Sequence, residues 1–198
     1  MNSRPTLVVV SGPAGSGKTT LAHAIASAVG CPAICRDEIK EGMVHAAPAG
    51  FVARPGDELT ARTLPVFFEL LGVLLKAGVS TVAEAAFQDH VWRPRLEPLL
   101  GLAEFRIVHC TVDADLAFRR ILRRAQDNPL RRAHADPDRK SAAQRTFVRV
   151  ALDVPSLKVD TTDGYRPSLD QIVAFVNGPA RHGPARPGPA RPGPRRQW

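Results

Sequence analysis

Cysteine is scarce in this chain of 198 residues, with Cys31, Cys35 and Cys110 its whole complement. That number and spacing supply neither a disulfide framework nor a zinc motif, and they suit a reducing compartment. His45, His90 and His134 likewise stand at no metal-ligand spacing. Long hydrophobic runs are missing too. The longest apolar stretch, LPVFFELLGVLLKAGV, carries Glu69 and Lys76 and is too short to span a bilayer, and the first, TLVVV, is too short for the core of a secretion signal. A soluble, cytoplasmic protein with no membrane partner is expected. Acidic residues are absent from 178–198, GPARHGPARPGPARPGPRRQW, which holds Arg181, Arg186, Arg191, Arg195 and Arg196. Taking those five from the 27 basic residues leaves 22 against 19 acidic ones, so the formal charge of +8 falls to +3. The remainder is too nearly balanced for a nucleic-acid groove, and the Gly/Pro/Ala/Arg tail has too little to bury to form a core, so it is expected to be disordered.

What is present is more specific. Residues 11–20 read SGPAGSGKTT, where Gly12, Gly17, Lys18 and Thr19 fit G-x-x-x-x-G-K-[ST]. This pattern binds nucleoside triphosphate phosphates through backbone N–H groups, a lysine and a hydroxyl that holds magnesium. The expected cradle is Gly12, Pro13, Ala14, Gly15, Ser16, Gly17, Lys18, Thr19 and Thr20, with ATP as ligand and Thr19 toward Mg2+. Its flanks agree, because TLVVV reads as a buried strand and Leu21, Ala24, Ile25, Ala28 and Val29 recur at helical spacing until Gly30.

Further strands are expected at 32–35, at 79–87 with its end near Glu84, at 105–112 and at 157–161, with helices between them. Pro65 marks a kink or restart in the helix over 58–76. Ser168 begins a capping box with Gln171, ahead of a last helix closed by Asn177-Gly178. Regular alternation of strand and helix requires a parallel sheet covered on both faces. The expected fold is therefore a three-layer α/β/α P-loop NTPase fold with a mostly parallel five-stranded sheet. It occupies residues 1–177, has a lid at about 119–137, and is followed by the tail at 178–198. Ligands of such sheets bind beyond the carboxyl ends of the strands.

Phosphoryl transfer to a hydroxyl calls for charge neutralisation and a group that accepts the hydroxyl proton. Asp37 follows the second strand, nineteen residues after Lys18, and reads either as that base or as a helix N-cap. Glu84 ends the third strand and serves metal-bound water, a substrate hydroxyl, or an ion pair with a neighbouring arginine. Gln88 and Asp89 are acceptor contacts or helix caps. Arg120 and Arg124 share one face of the helix after the fourth strand, suited to phosphate oxygens or to a solvated surface. No run of four apolar residues precedes Asp-Glu, and no glutamine stands in a switch-like motif, which argues against motors and switches.

GPAGSGKTT, CRDEIKEG, VAEAAF, the arginine-rich helix and VDTTDG together resemble the P-loop small-molecule kinases. These include the chloramphenicol phosphotransferase-like and zeta-toxin-like kinases and predicted AAA-type kinases, and the resemblance spans roughly residues 5–177. It implies that Asp37 is the catalytic base and that Arg120 and Arg124 belong to a lid helix closing over the phosphates, with Arg131 and Arg132 as further lid candidates. Relatives acting on nucleoside monophosphates carry an arginine where this chain has Lys40, which shifts the expected acceptor toward a neutral hydroxyl compound. The resulting expectation is an ATP-dependent, magnesium-requiring kinase of a small-molecule hydroxyl, either metabolite or antibiotic. Its rivals are a nucleotide-sugar or polynucleotide 5′-hydroxyl kinase and a noncatalytic ATP-binding module. Oligomeric state is not legible in the sequence.

Overall fold

Short β-branched runs become five strands: β1 Thr6–Ser11, β2 Ala33–Cys35, β3 Thr81–Glu84, β4 Glu104–Thr111 and β5 Ser156–Asp160. The computed structural model describes residues 4–47, 51–54, 57–127, 133–134 and 147–179. The sheet order is β2-β3-β1-β4-β5 and every pair is parallel. Central β1, β3 and β4 are almost wholly buried, as continuous apolar runs require, whereas edge strand β5 is half exposed. In register, Cys35 pairs with Glu84 and Glu84 with Val10. The ends of β2, β3 and β1 therefore lie side by side at one edge.

Alternation of side chains sends Leu7 and Val9 to one face of the sheet and Val8 and Val10 to the other. On the first face lie α3 (Glu58–Lys76) and α4 (Asp89–Leu96), through Phe67, Leu71, Leu75, Trp92 and Leu96. Phe67 is fully buried among Phe68, Phe87 and Trp92, the ring centroids of Phe87 and Trp92 being 4.7 Å apart. Truncating it to alanine costs about 3–5 kcal/mol. On the second face lie α1 (Lys18–Val29) and α6 (Leu169–Asn177), through Leu21, Ile25, Ile172 and Val176. The expected three layers are thus observed. The helices following neighbours β1 and β3 pack on opposite faces, which opens the crevice where such sheets bind ligands.

Details of the helices depart from expectation in places. In α1 the buried stripe is Leu21, Ala22, Ile25 and Ala26, while Ala28 is exposed. Helix α3 passes through Pro65 unbroken, with Pro65 on its exposed side. Asp57 starts that helix by accepting a 2.7 Å bond from the Thr60 N–H. Helix α2 (Arg36–His45) has Cys35 at its N-cap, so Asp37 sits within the first turn. Helix α5 spans Ala114–Asp127, with Asp113 accepting from the Leu116 N–H at 3.0 Å. The Ser168–Gln171 capping box of α6 is present, but Gly178 beyond it is extended (φ −64°) and not left-handed. Among the described residues, no helix is long and apolar enough to cross a membrane.

Candidate active site

The loop between β1 and α1 is shaped by what its glycines permit. A Cβ on Gly15 would lie 2.4 Å from the Ala117 carbonyl oxygen on α5, and Gly17 begins α1 in the left-handed region at φ 73°. The loop is pinned from β5 as well, where Thr161 Oγ1 lies 2.7 Å from the Ser16 carbonyl and donates to it. Ser16 Oγ is buried with no hydrogen-bond partner among the described residues.

Glu84 joins this loop to the sheet. Only 2% exposed, it accepts a 3.2 Å bond from Thr19 Oγ1 and lies 3.6 Å from Lys18 Nζ. Burial pushes its carboxyl above the ordinary range, Lys18 opposes that, and the nearby charge of Asp37 adds to the rise. The partner of Glu84 is thus the loop lysine, where sequence offered an arginine as one choice. A threonine hydroxyl beside a buried carboxylate is a hard oxygen donor set, which fits magnesium.

Asp37 stands across from this group at the start of α2, its side chain 40% exposed, with Arg36 donating to it at 3.1 Å. Because Cys35 holds the N-cap, the carboxylate of Asp37 is not the cap of α2. It lines a cleft of about 410 Å³ together with Thr19, Thr20, His23, Glu38, Glu41 and Arg124. A second cleft of about 290 Å³ is lined by Gly17, Thr20, Arg120, Arg124, Thr161, Gly164 and Tyr165. The two share Thr20 and Arg124, so they meet at the first turn of α1. A larger apolar groove of about 860 Å³ between α3 and α4 shares no residue with either.

The arginines of α5 divide as their spacing implies: Arg119 and Arg123 are exposed, and Arg120 and Arg124 are turned toward the clefts. Arg120 donates to the carbonyls of Thr161 and Thr162 at 2.9 and 3.3 Å, tying α5 to the loop after β5. Arg131 and Arg132 lie outside the described residues, as do 128–130 and 135–137 of the expected lid. His134 reaches α2, its Nε2 3.1 Å from Glu41 Oε1.

Gln88 and Asp89 line neither cleft. The Gln88 backbone bridges to Arg149, while the Asp89 carboxylate accepts from the Ala151 N–H at 2.8 Å and from Arg93. Those bonds hold the carboxyl of Asp89 below its usual range, and they fasten 148–151 to α4. Lys40 also faces away from the clefts. It is 3% exposed and donates to Asp57 Oδ2 at 2.8 Å and Thr60 Oγ1 at 2.7 Å, linking α2 to α3.

Sequence reasoning passed over His23, Glu38 and Glu41 as cleft residues. The available signal was helical spacing, since His23 follows Thr19 by four residues on α1 and Glu41 follows Asp37 by four on α2.

A family model described as an AAA domain matches residues 7–151. No curated protein matches the chain. A solved structure of a proposed kinase from Chloroflexus aurantiacus is 25% identical, covers 88% of this chain and 97% of its own, and has a TM-score of 0.77. A gluconokinase from Sinorhizobium meliloti is 21% identical over 89% of this chain and 91% of its own, with a TM-score of 0.53. The APS kinase of Mycobacterium tuberculosis, solved with AMPPNP and APS, is 13% identical over 89% and 99%, with a TM-score of 0.59. The last two are likenesses of fold.

Proposed function

This chain belongs to the AAA domain family matched over residues 7–151, and from that premise we propose that it is an ATP-dependent kinase of a small hydroxyl compound. The observation that carries this reading is the pair of clefts meeting at Thr20 and Arg124 over the phosphate loop, an arrangement for two substrates. The cleft beside Tyr165 takes the nucleoside, and the cleft beside Asp37 takes the acceptor. Lys18 and the backbone N–H groups of the Gly12–Thr20 loop, Pro13 having none, hold the β- and γ-phosphates. The acceptor hydroxyl oxygen forms a bond to the γ-phosphorus as the bond to the ADP oxygen breaks, and its proton passes to the Asp37 carboxylate. Arg124, at the junction, neutralises charge spreading onto the transferred group. Arg120 shapes the nucleoside side through the Thr161 and Thr162 carbonyls, and Glu84 sets Lys18 and Thr19 in place. Magnesium, held by Thr19 with Glu84 beside it, supplies further neutralisation of the phosphates when bound.

The lining of the acceptor cleft narrows the substrate class. Asp37, Glu38 and Glu41 line it against Arg124 and His23, and Lys40 is spent on Asp57. Three carboxylates from the α2 wall disfavour a phosphorylated, sulfated or carboxylated acceptor and suit a neutral or cationic polyol. The test is an ATP-consumption screen of hydroxyl compounds graded from anionic to cationic, with the mass of each product measured. Neutral or cationic acceptors are expected to gain one phosphoryl group with the higher kcat/KM. Preferential phosphorylation of carboxylated sugars would overturn the acceptor assignment.

A further inference from the structure

At one wall of the acceptor cleft, His23 and Glu38, which line it, converge with Cys35 from a third element, and none of the three touches the transferred group in the proposed mechanism. We propose that His23 Nε2, Cys35 Sγ and a carboxylate oxygen of Glu38 form a transition-metal site suited to zinc, where α1, β2 and α2 meet. Their donor atoms all lie within 4.8 Å of one another. Cys35 Sγ is 3.7 Å from His23 Nε2, and His23 Nε2 is 2.7 Å from Glu38 Oε1. Tetrahedral zinc, with bonds of about 2.3 Å to sulfur and about 2.0 Å to nitrogen, sets those two donors about 3.5 Å apart. The sulfur–nitrogen pair is therefore already at ligand spacing. The imidazole and carboxylate must part by several tenths of an ångström, which two side chains about half exposed can do.

Cys35 occupies a position that asks for another residue. It is the N-cap of α2, where Ser, Thr, Asp or Asn would accept a helix N–H, and it makes no such bond. Its thiol instead lies among His23, Glu38 and Glu84. A soft sulfur with an imidazole and one carboxylate selects zinc-like ions over magnesium, whose oxygen donors are Thr19 and Glu84 nearby. The carboxylates of Asp37, Glu41 and Glu84 lie near that of Glu38, each facing a basic partner in Arg36, His134 or Lys18, so the three donor side chains themselves supply the attraction for the ion. Burial, then Glu84 and Glu38, push the free thiol up, so the metal must displace its proton and uptake releases one to solvent. With three protein ligands, a fourth position stays open for water or a cleft ligand. Spacing rules missed the site because its ligands are twelve and three residues apart on separate elements.

The test uses the full-length, reduced, metal-free chain titrated with Co2+ alone, so it is independent of any acceptor or turnover. One equivalent is expected to produce a thiolate-to-cobalt charge-transfer band in the near ultraviolet, abolished by one equivalent of Zn2+. Cys35→Ser should lose the band. His23→Gln, on an exposed face that leaves folding intact, should weaken Co2+ binding by at least roughly tenfold. Cys31→Ser should retain wild-type binding. Absence of the band in the wild type, its survival in Cys35→Ser, undiminished affinity in His23→Gln, or its loss in Cys31→Ser would each overturn the proposal.

Discussion

In the proposed mechanism Lys18, Glu84 and Asp37 divide the work by their surroundings. Glu84 is buried and bonded to Lys18 and Thr19, which suits it to position them, while Asp37 keeps access to solvent and to the cleft proposed for the acceptor. Lys18→Ala removes the loop cation that faces the phosphates and leaves Glu84 buried without its counter-charge. ATP-dependent turnover should vanish and nucleotide affinity fall, and unchanged turnover would contradict the assignment of the loop. Asp37→Asn keeps shape but removes basicity. Since Asp37 is not at the N-cap position of α2 and asparagine keeps its size, the fold should change little, and kcat should drop by about 10²- to 10⁴-fold with ATP affinity retained. Steady-state kinetics with a direct nucleotide-binding assay separates these effects, and a kcat equal to wild type would remove Asp37 from the chemistry. The loop and Asp37 were legible in the sequence because a spacing motif and a strand end mark them. Glu38, Glu41 and His23 were not, because charged residues on one face of a short helix look the same whether that face meets solvent or a cleft.

At the scale of elements, a buried polar cluster joins α2 to α3. Lys40 donates to Asp57 and Thr60, and Asp57 also caps α3. Burial pushes the Asp57 carboxyl up, but its bonds from Lys40 and Thr60 outweigh that and lower it to about 2. A carboxyl depressed on folding contributes stability that is complete above its ordinary value near 4 and is lost as pH falls through about 2. The contribution is about 2 kcal/mol. Thermal melts of wild type and Asp57→Asn should therefore differ most near neutral pH and converge between about pH 4 and pH 2. A difference that stays constant through that window would contradict the ion pair. The strands were readable as apolar runs, and the Ser168 cap as a short motif. Local pattern could not reveal the phase of α1, which rotates to bury Ala22 and Ala26 against the sheet, nor that Pro65 would sit on an exposed side where α3 continues past it. The pairing of Lys40 with Asp57 joins residues seventeen apart across a loop, and no periodicity encodes it.

For the whole molecule, composition placed the start of the tail at Gly178, and the structure adds a contact there. Arg106, 4% exposed within β4, donates to the Gly178 carbonyl at 2.7 Å and to the Phe105 carbonyl at 2.9 Å. Ending the chain after Asn177 removes that acceptor from a buried guanidinium, at a cost of about 2 kcal/mol or roughly 4–8 °C in Tm. Ending it after Pro179 should leave Tm and turnover nearly unchanged. Equal melting temperatures for the two truncations would contradict a structural part for Gly178. The largest question is whether the two clefts meeting over the loop transfer a phosphoryl group or merely bind nucleotide. Incubating the protein with γ-labelled ATP, magnesium and the acceptor panel, and separating acceptor from free phosphate, answers it most directly. The label should appear in a neutral or cationic acceptor with wild type and be absent with Lys18→Ala. Nucleotide bound tightly by the wild type, with the label never leaving ATP for any acceptor, would contradict the account.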